Sequence, residues 1–172
     1  ETVTLNGRFG DDKINVHPIG LVTVAAINAI GGDPTASDEV VVNGTAATEA
    51  IKFTPTLPDA ALVVVGAAPA VSITSSELVT INGLGGNDTL NVNTPATTTS
   101  TVTLTPGATV DSGNVRVDSF VPMNFTTVGA TGRLTVTAPT AADGDRLIYN
   151  GTQASDIFTL PHGVVPAPSI LL

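Results

Sequence analysis

Apolar and polar residues alternate in short paired bursts along this chain. Val3 and Leu5 are followed by Ile14 and Val16, Val40 and Val42 by Ile51 and Phe53, Val79 and Ile81 by Leu90 and Val92, and Leu147 and Tyr149 by Phe158 and Leu160. A period of two places every second side chain on one face, so each burst predicts a short half-buried strand. The bursts belong to four windows of sixteen residues: ETVTLNGRFGDDKINV from Glu1, DEVVVNGTAATEAIKF from Asp38, ELVTINGLGGNDTLNV from Glu77 and DRLIYNGTQASDIFTL from Asp145. All four keep an acid at the first position, Asn-Gly at the sixth and seventh, and a second acid at the twelfth.

The grammar of each copy is strand, turn, strand. Asn-Gly followed three positions later by Gly or Ala predicts a connection that uses positive φ and is too long for a tight two-residue hairpin. Proline follows each second strand, at Pro18, Pro55, Pro95 and Pro161, and its missing N–H predicts a corner there. Between copies, further strands are predicted at 21–26, 61–65, 71–74, 101–105, 115–118, 124–127 and 134–137. No window carries a helical stripe.

The Asn-Gly pairs stand at Asn6, Asn43, Asn82 and Asn150, with spacings of 37, 39 and 68 residues. The first and third copies carry Gly-x-Asp and the second and fourth carry Ala in the glycine place, so the full period is a two-copy unit of roughly 76 residues. A fixed period signals a repeat architecture. The expected fold is all-β, a parallel β-solenoid with two stacked turns of 18–20 residues in each shorter gap. Tandem small β-sandwich domains are the alternative. We expect residues 1–172 to form one array, with super-repeats at 1–76 and 77–172 and an extra segment at about 101–137 in the second. Stacking predicts columns of first-position acids (Glu1, Asp38, Glu77, Asp145), of twelfth-position acids (Asp12, Glu49, Asp88, Asp156) and of asparagines linked as an amide ladder.

Composition sharpens this picture. The chain is 42% hydrophobic, carried by Val, Ala, Ile and Leu with no Trp and one Tyr, amid many Thr and Gly. That content is ample for a core and favours strands. Fifteen acids stand against six Lys plus Arg, which argues against nucleic acid and anionic membrane as partners. The absence of Cys removes disulfides, zinc thiolates and thiol catalysis. No stretch is long and apolar enough to insert in a membrane. Glu1 opens a repeat in register and lacks an initiator Met, and the residues from Glu1 carry no signal-sequence pattern, so the chain is expected to be a processed or excised piece of a longer protein.

Gly83-Leu-Gly-Gly-Asn-Asp-Thr-Leu-Asn resembles the haemolysin-type (RTX) calcium-binding nonapeptide, G-G-x-G-x-D-x-U-x, departing at Leu84; Gly7-Arg-Phe-Gly-Asp-Asp-Lys-Ile-Asn is a poorer match. The resemblance implies calcium held by Asp12 and Asp88, with Asp11 and Asn87 as neighbours, in a parallel β-roll. It departs from that family in that its two best windows lie 76 residues apart rather than in tandem. More broadly the chain looks like the repeat regions of large bacterial surface and secreted proteins with NGxxGDDTxxV threads, which are generally not enzymes. Independently of resemblance, columns of acids suit a hard cation such as Ca²⁺, while Asp and Asn at turns equally serve local backbone amides.

Catalytic patterns are not evident. His17 and His162 each sit beside a corner proline, and no nucleophile elbow, phosphate loop or dinucleotide fingerprint occurs. The expectation is a non-enzymatic structural module of an extracellular or cell-surface fibre, stalk or adhesin. Its expected partner is itself, as a homopolymer or as neighbouring repeats, with no cofactor required beyond optional Ca²⁺. The alternatives are an RTX-like calcium roll and a β-helix that binds or acts on surface glycans.

Overall fold

The computed structural model describes residues 1–33, 37–96, 98–138, 144–153 and 169–171. The expected second strand and corner of the fourth copy, including Asp156, Phe158, Leu160, Pro161 and His162, lie outside the described residues. Among those described, the chain is all-β with no helix, and its strands form two mixed sheets.

The chain shuttles between the sheets. It opens with β1 (Thr2–Arg8) in the first sheet and β2 (Lys13–Val16) in the second, then returns to the first as β3 (Ala26–Gly32) and crosses again as β4 (Glu39–Asn43). A meander of β5 (Ala50–Leu57), β6 (Ala60–Val65) and β7 (Ala70–Thr74) follows in the first sheet. β8 (Leu78–Asn82) lies in the second sheet and β9 (Thr89–Asn93) in the first. A second meander, β10 (Thr101–Pro106), β11 (Gly113–Val117) and β12 (Met123–Thr126), belongs to the second sheet. β13 (Arg133–Thr137) returns to the first, β14 (Arg146–Tyr149) joins the second, and β15 (Ser169–Leu171) closes the first.

The first sheet runs β1-β3-β7-β6-β5-β9-β13-β15 and the second β14-β10-β11-β12-β8-β4-β2. Each contains parallel blocks joined through one reversed strand, β6 in the first and β11 in the second, and β15 adds antiparallel to β13 at the end of the first. In the first three copies the two strands therefore do not pair as a hairpin. Their connection carries the chain from one sheet to the other, and each strand finds its partners in other passes.

Alternation sets the core. Val40, Val42, Ile51, Phe53, Val79, Ile81, Leu90 and Val92 are all buried and join Ile27, Ile73, Leu104, Met123, Phe125 and Leu134 in one cluster fed by both sheets. Leu5, Ile14, Leu147 and Tyr149 pack against it only partly buried, because β1, β2 and β14 are edge strands.

Several expectations change. The alternating residues at 21–25 form turns and loop rather than strand, and Val22 is 93% exposed. The strand lies just downstream, where Ile27 and Ala29 point inward and β1 and β7 flank it on both sides. Pro55 is not a corner: it lies inside β5, beside a register shift between Pro55 and Leu57, where an irregularity tolerates a missing donor. Pro18 and Pro95 do follow their strands. The gap of 39 residues between the second and third copies is one stacking step, with the meander inserted as a detour. Those copies lie side by side in register, Val40 on Val79, Val42 on Ile81, Ile51 on Leu90 and Phe53 on Val92.

The first copy takes a different register. Its second strand, β2, aligns with the first strand of the second copy, Ile14 on Val40 and Val16 on Val42, and its first strand lies on β3. The fourth copy adds β14 to β10, Leu147 beside Val102.

Candidate functional site

The distinctive chemistry lies where the chain crosses between sheets. At these corners an acid just ahead of a strand accepts the backbone N–H of the equivalent residue in the neighbouring pass. Asp12 N donates to Asp38 Oδ1 at 2.8 Å, Asp38 N to a Glu77 carboxylate oxygen at 2.7 Å, and Glu49 N to Asp88 Oδ1 at 2.8 Å. Ser100 N donates in the same way to Asp145 Oδ1 at 2.8 Å. The columns are therefore Asp12–Asp38–Glu77 ahead of the second sheet, Glu49–Asp88 ahead of the first, and Ser100–Asp145. Asp12 joins first-position acids because its copy is shifted by half a unit. Charge-assisted hydrogen bonds of this kind exceed neutral ones in strength and repeat at each stacking step.

The Asn-Gly glycines serve these acids in a way that the sequence does not predict. Gly7, Gly44 and Gly83 are absent from the positive-φ residues, which include Arg8, Gly10, Leu84, Gly85, Gly86 and Asn87. A Cβ on Gly7 would lie 2.6 Å from Asp12 Oδ2, and one on Gly44 2.9 Å from Glu49 Oε2 and 3.0 Å from the Gly83 carbonyl. On Gly83 it would collide with Asp88 Oδ2 and lie 2.7 Å from the Thr127 carbonyl. The glycine is required for lack of a side chain, since the corner carboxylate and the next pass both occupy its space. Gly31 does the same for Asp38, at 2.9 Å from Oδ2, outside any Asn-Gly pair.

Asparagines form part of the expected ladder. Asn82 Nδ2 donates to Asn43 Oδ1 at 3.1 Å, and Asn43 Nδ2 donates to the Val16 carbonyl at 3.1 Å. Thr127 Oγ1 adds a bond to Asn82 Oδ1. Asn150 stands elsewhere, donating to Thr105 Oγ1 at 3.0 Å. Asn6 lies across from Ile30 on the edge strand.

Of the four residues drawn from the calcium resemblance, Asp11 and Asp12 sit ahead of the second sheet, whereas Asn87 and Asp88 sit ahead of the first. The fold does not gather the four into one site. Asp11 Oδ1 accepts Ser37 N at 3.0 Å and Asn87 Oδ1 accepts Thr131 N at 3.1 Å, so each side chain ties its turn to a segment distant in sequence rather than standing free for a cation. Among the described residues, no group of three or more His, Cys, Asp or Glu side chains is gathered as a metal site. Asp88 and Glu49 interact as neighbouring acids. Asp88 is fully buried, and burial, reinforced by the Glu49 carboxylate beside it, pushes its pKa up to about 6 despite the N–H that it accepts. Asp12 Oδ2, Asp38 Oδ2 and Asp88 Oδ2 are all buried and take no hydrogen bond.

Two other features complete the inventory. Glu39 forms an ion pair with Lys13 at 2.7 Å, and although burial opposes ionisation, Lys13 and Thr80 hold its pKa below the ordinary value. An open groove of about 660 Å³ lies between the 19–25 loop and the turn at Gly66 to Pro69, and among the described residues Glu49 is the one ionisable residue lining it. Compared with known protein families, curated proteins and solved structures, this chain matches none.

Proposed function

We propose that this chain is a non-enzymatic structural module, a solenoid-like stack with two reversed strands spliced into it, serving an extracellular or cell-surface fibre, stalk or adhesin. The observation that carries the reading is the direction of its polar bonds. Corner acids and the Asn43–Asn82 pair bond from one pass to the next instead of converging on a pocket, so the polar chemistry is spent on stacking. A binding or catalytic site would need several polar groups aimed into one concavity, and the groove near Val22 is lined mainly by apolar and small residues. Electron microscopy with light scattering tests the reading: elongated or polymeric particles are expected, and compact monomers at all concentrations would refute it.

A calcium-stabilised form is the second reading, and its support is the adjacency of Glu49 and Asp88 with Asp88 Oδ2 unpartnered. Two carboxylates in contact repel when ionised, and a hard cation would relieve that repulsion. Under this reading a chelator lowers the melting temperature; an unchanged melting curve with EDTA and with added Ca²⁺ removes it.

A further inference from the structure

Resting on the structural reading above, we propose that copies of this chain stack head to tail through the second sheet, with β14 of one copy adding as a parallel strand to β2 of the next. The acceptor is Asp12. Asp38 and Glu77 each receive the N–H of the preceding pass through one carboxylate oxygen, whereas Asp12, their equivalent at the β2 edge, has no preceding pass among the described residues to donate to it. The donor stands at the other edge: Asp145 already accepts from Ser100 N at 2.8 Å and Thr94 Oγ1 at 2.6 Å. By position Asp145 is the equivalent of Asp12 and Asp38, which donate their own N–H to the acid of the next pass. Among the described residues β2 and β14 are the two edges of the sheet, and a second copy would bring Asp145 to Asp12 as Ser100 is brought to Asp145.

Strand direction agrees. β14 runs parallel to β10, and β10 and β12 both run antiparallel to β11; β12, β8, β4 and β2 are parallel to one another. The two outer strands thus point the same way, and translation along the sheet joins them without reversal. Matching acid to acid places Leu147 beside Ile14 and Tyr149 beside Val16, and Leu147, Tyr149 and Ile14 are the half-buried residues at the two ends of the core. Phe9, in the connection between β1 and β2, and Val3, on the edge strand β1, are also exposed. Arg146 would fall beside Lys13, whose ammonium is already paired with Glu39. A head-to-tail contact between unlike surfaces builds an open filament unless its rotation closes a ring, and translation along the sheet is the open case.

The test uses two blocked ends, in buffer of about 0.5 M salt so that the net charge of −9 is screened. Ile14→Lys disables the β2 end and leaves β14 intact; Leu147→Lys does the reverse. Wild type is expected to form chains, each variant alone to stay monomeric, and an equimolar mixture to give a one-to-one heterodimer and nothing larger by light scattering. Val110→Lys, in the exposed β10–β11 turn, is expected to polymerise like wild type. If Ile14→Lys fails to fold, Asp12→Ala replaces it, since that side chain accepts no hydrogen bond within the described chain. Dimers of Leu147→Lys alone would show β2 pairing with itself and overturn the head-to-tail arrangement. Filaments that survive both blocks would overturn this interface and leave the structural reading standing. A monomeric wild type would overturn both.

Discussion

The second and third copies of the repeat and the first copy share one pattern and meet different fates. Residues 38–53 and 77–92 lie side by side through both their strands, and their inward residues are buried on every side. Residues 1–16 slip by half a unit: β2 lies on β4, and β1 lies on β3, which belongs to no copy. The slip is tolerated because the two halves of a copy are nearly equivalent. Each half is an acid, a spacer and two alternating apolar residues, so Asp12-Lys-Ile-Asn-Val fits where Glu77-Leu-Val-Thr-Ile fits. The working brick is the half copy, and stacking chooses which halves meet.

That comparison sets the order of its own tests. The largest effect is expected at the core of the stacked pair: Phe53→Ala should cost about 3–5 kcal/mol, read by denaturant melts. Leu5→Ala, on the edge strand of the shifted copy, should cost well under half as much. Equal losses would show that the first copy is as enclosed as the others.

Next comes the glycine that shelters an acid. Gly83→Ala forces its Cβ against Asp88 Oδ2 and the Thr127 carbonyl and should destabilise by about 2–4 kcal/mol, in the range of overpacking strain. Gly85→Ala, at φ +98° with nothing within 4 Å, should cost only about 1 kcal/mol of backbone strain. A reversed order would return the Asn-Gly glycines to a turn role.

The pH dependence is smaller and has a definite sign. Asp88 titrates at about 6 in the folded chain against 3.8 for an unperturbed group, so the folded state holds a proton that the unfolded state has released. Its contribution is complete below about pH 4 and is lost as pH rises through 6. Asp88→Asn keeps an acceptor for Glu49 N–H and removes the titration. The variant should flatten the stability profile between pH 4 and 7 and gain on the order of 1 kcal/mol over wild type at pH 7. An unchanged slope would place the titration elsewhere. Smallest is the Lys13–Glu39 pair, where Lys13 is 59% exposed: Lys13→Ala should change stability by roughly 0.5 kcal/mol or less.

Much of the architecture is legible along the chain because strand alternation is local. Every inward pair named for the second and third copies is buried, and the extra segment in the second half is present as β10 to β13. The strand at Ala26–Gly32 was harder to see, since its inward residues include Ala29 and Gly31, and small residues weaken the alternation that announces a strand. Its partners, β1 and β7, are 24 and 44 residues away in register, from Thr2 to Ala26 and from Ala26 to Ala70, so nothing nearby reveals them. The corner acids were visible as residues but not as a ladder, because a carboxylate that answers a local turn and one that receives an amide from another pass look identical in sequence.

The sequence by itself determined most of the strands, the recurring sixteen-residue pattern, the apolar faces and the acidic corners, since each depends on neighbours within a few positions. Tertiary structure alone decided that a copy is split between two sheets, that the first copy stacks half a unit out of phase, and that Gly83 is glycine on account of Asp88. Those are questions of which passes touch, and near-equivalent halves leave register open until burial of both faces and the corner hydrogen bonds select one arrangement.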